Sequence, residues 1–198
     1  MDTIENTVTH EVIIKKSRFI VKLFPVFNKE EIEKILEETR KEYRDANHVC
    51  YGYKIGALEK CSDDGEPSGT AGLPILNILL QKNLDFILCI VIRYFGGIKL
   101  GAGGLIRAYG KCANEGVQKG ELVKINEGVQ FTFIFPYEQT KQIDFILQEA
   151  KITEKIFTEK IKYKVQIEKE TYLSLAPKLQ EIGTINEIEE TLLVKKVL

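Results

Sequence analysis

Apolar and polar positions alternate with two different periods along this chain, and the changes of period mark out its elements. Glu11 to Pro25 reads as a strand. Asn28 with Glu31 three residues on resembles a helix N-cap, and Ile32, Ile35, Leu36 and Tyr43 then recur at helical spacing. His48 to Ile55 (HVCYGYKI) alternates and is rich in aromatic and β-branched residues, which predicts a strand. A polar loop, KCSDDGEPSGTAG, precedes a helix predicted from Leu73 or Pro74 to Lys82. Phe86 to Ile92 is a run of seven apolar residues, the length of a buried strand and far short of a membrane span. A glycine-rich loop follows, and then a helix with Leu105, Ile106, Tyr109, Cys112, Ala113 and Val117 on its buried side. Arg107, Lys111, Asn114 and Gln118 fall on the other side. The predicted order is β-α-β-α-β-α, with at least one face of the sheet covered.

Beyond residue 120 the style changes. Thirteen of the 15 glycines lie in residues 1–120, which predicts two domains, 1–122 and 123–198, joined near Gly120 to Glu127. Val129, Phe131, Phe133 and Phe135 alternate as a strand, and Pro136 opens a helix with Ile143, Ile146, Leu147 and Ala150 inward. Residues 151–158 and 161–168 pair as strands. A helix runs to Gly183, placed as a C′ residue, and Ile188 to Val197 is the last strand. Pro177 requires that helix to start near Leu175 or to kink. The order βαββαβ is the ferredoxin-like arrangement, so the fold class is α+β.

Composition narrows the function only by exclusion. Charged residues are 29% and net charge is −1, so any nucleic-acid binding needs a local patch rather than a basic chain. The polar start MDTIENTVTHE lacks the pattern of a signal peptide. Cys50, Cys61, Cys89 and Cys112 have no CxxC spacing, and the chain reads as a cytoplasmic protein with reduced thiols, without membrane contact.

Two loops carry the candidate chemistry. The first holds Gly96, Gly97, Gly101, Gly103 and Gly104 between a buried strand and a helix start, with Arg93, Lys99 and Arg107 nearby. Backbone N–H groups, a helix dipole and three cations suit a phosphate. The loop matches neither G-x-x-x-x-G-K-[ST] nor G-x-G-x-x-G, and glycines also serve sharp turns and close helix packing. The second, Ser62 to Gly72, offers Asp63, Asp64 and Glu66 as oxygen ligands or acid–base groups and Ser68 and Thr70 as hydroxyls. It equally reads as a solvated turn with capping side chains. His48 and Cys50 share a strand face, which reads first as a half-buried histidine and a core thiol and second as a nucleophile pair. His10 carries no functional reading. Lys15, Lys16, Arg18 and Lys22 form a basic cluster that becomes an anion-binding patch only if it adjoins Arg93 and Arg107.

SDDGEPSGTAGLPIL and IRYFGGIKLGAGGLIRAYG, preceded by KSRFI and His48-x-Cys50, resemble the signature of the IMPACT family, which includes the bacterial YigZ-like proteins. The match covers about residues 15–118. The resemblance implies an N-terminal α/β sandwich of the ribosomal-protein and elongation factor G domain IV type, and a second domain like the ferredoxin-like domain V of that factor. Eukaryotic members regulate translation by engaging the co-activator of a starvation-sensing kinase; for bacterial members a role in translation or RNA binding is implied. The matching binding positions are Arg18, His48, Asp63, Asp64, Glu66, Ser68, Gly69, Thr70, Arg93, Tyr94, Gly96, Gly97, Lys99, Gly101, Gly103, Gly104 and Arg107. Gly52 stands where the family usually has alanine, and Ala102 where many members have threonine, so a hydroxyl there is not essential.

The expected function is a non-enzymatic, translation-associated regulator. It would bind RNA, the ribosome or a protein partner through a surface composed of both loops, as a monomer without cofactor, metal or catalytic residue. The alternatives are a metal-dependent phosphate-handling hydrolase using the same loops, with Asp63, Asp64 and Glu66 at the metal, and a pure protein-interaction scaffold.

Overall fold

Why the first half folds as it does is clearest at its centre. β6 (Ile87–Tyr94) is buried along seven of its eight residues, so it needs cover on both faces. The computed structural model describes residues 1–196. It divides into two compact units, Met1–Lys124 and Ile125–Lys195.

In the first unit β2 (Val8–Ile14), β3 (Ser17–Pro25), β4 (His48–Ile55) and β5 (Leu58–Ser62) join β6 in an antiparallel sheet ordered β2-β3-β6-β4-β5. One face packs Phe19, Val21, Cys50, Cys89 and Val91 against α2 (Gly72–Gln81) and α3 (Ala102–Lys119). The other packs Ile20, Val49, Tyr51, Leu88, Ile90 and Ile92 against α1 (Lys29–Glu42). Asn28 caps α1 as its sequence predicts, accepting the Glu31 N–H at 2.9 Å. The short β1 (Asp2–Ile4) pairs with Leu122–Lys124, the start of β7 (Leu122–Phe135).

Three expectations need correction here. Glu11 to Pro25 is not one strand but most of a hairpin, turned by Lys15 and Lys16 at φ 45° and 66°. Two positive-φ residues suit a hairpin's twist, and two lysines in place of Asn-Gly hide it from the pattern. Lys60 to Ser62 belong to β5, so the acidic loop begins at Asp63. Ile106 is 46% exposed, and Ala108 and Gly116 take the buried side of α3 instead. His10 lies in β2, with its Nε2 3.2 Å from Glu115 Oε2.

The second unit orders its strands β10-β7-β9-β8, with β8 (Lys151–Phe157), β9 (Ile161–Glu168) and β10 (Thr184–Lys196). Phe131, Phe133, Phe135, Tyr163 and Val165 pack with Ile143 of α4 (Thr140–Ile146) and with Tyr172 and Leu179 of α5 (Lys169–Ile182). The element order is the βαββαβ of the sequence reading. Two details differ. α5 runs through Pro177 from Lys169, giving up the bond that Pro177 cannot donate to Leu173. Gly183 ends α5 in extended backbone, not in the left-handed region; a Cβ there would lie 2.3 Å from the Ile134 carbonyl oxygen. Val197, the expected end of the last strand, lies outside the described residues. No helix among the described residues is long and apolar enough to cross a membrane.

Candidate functional site

The acidic loop, Asp63 to Ala71, connects β5 to α2, and its carboxylates are mostly spent on the fold. Ala71, at the start of α2, has no side-chain cap. Asp63 supplies one from a distance: its carboxylate accepts the N–H groups of Gly69 (2.8 Å), Ala71 (2.9 Å) and Gly72 (2.8 Å). Burial alone would raise its pKa, but these donors more than offset that and hold it below the usual carboxylate range. A carboxyl depressed in the folded state stabilises above its unfolded value, and that stabilisation fades as pH falls through the folded one. Asp63→Ala is therefore expected to cost about 1 kcal/mol at neutral pH, with the gap to the parent narrowing in acid. Urea unfolding at pH 7 and at pH 3 measures both, and a gap that widens in acid would contradict the assignment.

Asp64 sits at φ 43°. Its Oδ2 accepts the Val49 N–H at 2.6 Å, and its backbone carbonyl accepts from His48 Nδ1 at 2.9 Å. Because a carbonyl only accepts, His48 Nδ1 is the donor in that bond. Thr70 donates its hydroxyl to the Pro67 carbonyl, 2.6 Å away, and is buried. Ser68 is exposed.

Glu66 joins the two loops. It is buried, and its Oε1 accepts from Arg93 Nη1 at 2.6 Å and from the Tyr109 hydroxyl at 2.8 Å. Burial first, and then the neighbouring Cys50 and Glu66, push the Tyr109 hydroxyl far up. His48 lies directly across the ladder from Arg93, so both reach the same face, and its Nε2 is 3.8 Å from Glu66. Cys50 donates to the Asp63 carbonyl; burial pushes its thiol up to about 12, so it is no thiolate at neutral pH. The nucleophile-pair reading of His48 and Cys50 lapses on that ground.

The glycine loop runs from Phe95 to Gly101. Phe95 donates its N–H to Asn47 Oδ1 at 2.7 Å, and Gly96 donates to Ser17 Oγ at 3.2 Å. Gly97 and Gly101 have φ of 84° and 72°. α3 then starts without a side-chain cap and without an acidic residue in its first turn, so its N-terminal N–H groups and dipole face outward uncompensated. Glu66 and Pro67 of one loop and Lys99 to Ala102 of the other line a common cavity of about 380 Å³ with His48 and Arg93. A smaller groove around Leu100 and Gly104 is lined by Lys15, Arg107 and Lys111. Leu100 borders both.

The seventeen sequence positions thus separate. His48, Glu66, Arg93, Lys99 and Gly101 meet at the cavity, and Gly104 and Arg107 at the groove. Arg93 is only 5% exposed and is paired, so it is an internal group and not a presented cation. Arg18 and Tyr94 are register partners on the face that α1 covers, with the guanidinium 5.6 Å from the ring. Arg18 also pairs with Glu11 at 2.8 Å. Of the basic cluster, Lys15 reaches the Arg107 side while Lys22 pairs with Glu42. Asn47 and Lys111 join the site from outside the predicted set, and Phe95 joins it from within the second signature motif. Among the described residues no cluster of three His, Cys, Asp or Glu side chains is placed to hold a metal.

A buried strand, a paired acidic and glycine loop, and a second unit ordered βαββαβ define a two-unit protein of mixed α and β structure. The profile of the Impact N-terminal domain matches residues 15–117. The chain is 40% identical over 164 residues to the IMPACT family member YvyE of Bacillus subtilis, covering 78% of this chain and 76% of that one. It is 37% identical over 142 residues to YigZ of Escherichia coli, covering 69% and 70%. This chain belongs to the IMPACT family. A crystal structure described only as a hypothetical protein superposes at TM-score 0.65 with 31% identity, over 95% of this chain and 97% of that one.

Proposed function

We propose that this protein is a translation-associated regulator, without catalysis of its own, that binds RNA through the basic rim of its first unit. The observation that carries this reading is a separation of charge. Asp63 and Glu66 are turned to internal partners and Asp64 is divided between the Val49 N–H and the Arg40 guanidinium, whereas Lys15, Lys99 and Arg107 stand exposed around the uncapped start of α3. Among the described residues none of these three cations is in an ion pair. Cations beside outward N–H groups suit a phosphate backbone. The same commitment of the carboxylates weighs against the hydrolase alternative, which needs them facing a substrate.

Family membership supports the link to translation, through the regulatory role of the eukaryotic members. The finer fold reading belongs to this proposal too: units of the elongation factor G domain IV and domain V types, with a boundary at 122–123. The strand order of the second unit agrees with it. A cytoplasmic location and a monomeric state belong to this proposal as well.

The test is a fluorescence-anisotropy titration of a labelled single-stranded RNA at low salt. Lys99→Glu with Arg107→Glu is expected to weaken binding at least about tenfold, with thermal stability unchanged. Equal binding by parent and variant would contradict the proposal.

A further inference from the structure

We propose that the cavity between the two loops receives a single nucleotide, its base against Phe95 and its phosphate at the first turn of α3. The nucleotide is either an unstacked one within RNA, in which case the inference rests on the RNA-binding reading, or a free mononucleotide.

The lining asks for more than a phosphate. Phe95 is 45% exposed and is the one phenyl ring among the described residues that line the cavity. Its N–H is held by Asn47, and the Arg93 guanidinium lies 5.6 Å from its centroid, so the ring is positioned while much of its surface stays open. A fixed, exposed ring beside a cavity is the platform on which unstacked bases rest.

The polar groups around the ring are likewise fixed and incompletely used. Asn47 Oδ1 accepts from Phe95, which assigns the amide and leaves its NH2 as a donor. His48 Nδ1 is tied to Asp64, which leaves Nε2 for a base edge. Arg93 lines the cavity, is 95% buried by its 5% exposure, and its Nε has no hydrogen-bond partner among the described residues. A buried N–H without an acceptor is uncommon and calls for one, which a base carbonyl or a phosphate oxygen would supply. At the opposite wall the uncapped turn at Gly101–Ala102 and the Lys99 ammonium provide for the phosphate. The volume of about 380 Å³ is at the small end for ligand sites, which suits one nucleotide and excludes a duplex.

The experiment compares three probes on the full chain: a labelled single-stranded RNA, the same sequence as a duplex, and adenosine and uridine monophosphates titrated calorimetrically. Single-stranded RNA is expected to bind about tenfold more tightly than duplex, and Phe95→Ala to remove about tenfold of that affinity. Retained thermal stability in Phe95→Ala, and the same loss in Phe95→Leu with recovery in Phe95→Tyr, separate stacking from folding. Monophosphate binding without RNA binding would support the nucleotide site and overturn the RNA reading. Equal binding of single strand and duplex, unchanged in Phe95→Ala, would overturn this inference and leave the RNA reading standing. Binding of none of the probes would overturn both.

Discussion

Arg93→Ala is expected to cost about 3–5 kcal/mol of folding stability, the scale of a broken buried ion pair. Arg93 and Glu66 have side chains only 6% and 3% exposed, and the 2.6 Å contact between them is backed by the Tyr109 hydroxyl on the same carboxylate oxygen. Removing the guanidinium leaves Glu66 buried with the Tyr109 hydroxyl as its remaining hydrogen-bond donor among the described residues, and deprives Phe19 and Phe95 of the cation beside their rings. The pair's net contribution is a different quantity, because desolvating both charges offsets much of their attraction. Arg93→Met with Glu66→Leu should therefore recover most of the loss. Urea unfolding of Arg93→Met, of Glu66→Leu and of the double variant completes the cycle. A loss under 1 kcal/mol in Arg93→Ala would show that the pair is not buried as described.

The second large effect is expected at a residue with no side chain. A Cβ on Gly96 would lie 2.0 Å from the carbonyl carbon and oxygen of Lys16 and 2.4 Å from the Ser17 nitrogen. Those are backbone atoms of the hairpin turn, which cannot rotate away, so Gly96→Ala forces the turn and the glycine loop apart. The expected cost is about 3 kcal/mol, the upper part of the overpacking range. Gly103→Ala is the control. Its Cβ would meet only the mobile end of Arg107, 3.6 Å away, and within a helix alanine gains about 0.5–1 kcal/mol over glycine. Thermal unfolding of the two variants should move in opposite directions. Two equal shifts would contradict the packing of the Lys15–Lys16 turn on the loop.

These residues also show what the sequence could disclose. The apolar run Phe86 to Ile92 announced its own burial, and the helical spacing from Leu105 to Val117 announced the helix beside it. The run could not announce its parity: with every side chain apolar, nothing told which face Arg93 would join, or that Tyr94 would go to the other. Register settled it, by placing Arg93 opposite His48 and Tyr94 opposite Arg18. The acids misled for a related reason. Asp63 caps a helix nine residues along the chain, a contact that no local spacing encodes. Asn47 carried one faint signal, its place immediately before His48. Lys15 and Lys16 gave none, since two lysines at positive φ lack the usual marks of a turn.

If cations at the rim of the first unit meet RNA phosphates, binding must weaken with salt in proportion to those contacts. Each single-strand phosphate contact contributes about 0.7 to the slope of log K against log salt concentration. From the parent to the triple variant Lys15→Ala, Lys99→Ala, Arg107→Ala, the slope is expected to become shallower by about 2, with weaker binding at every salt. The same slope and affinity in both proteins, or no RNA binding by the parent at low salt, would contradict it.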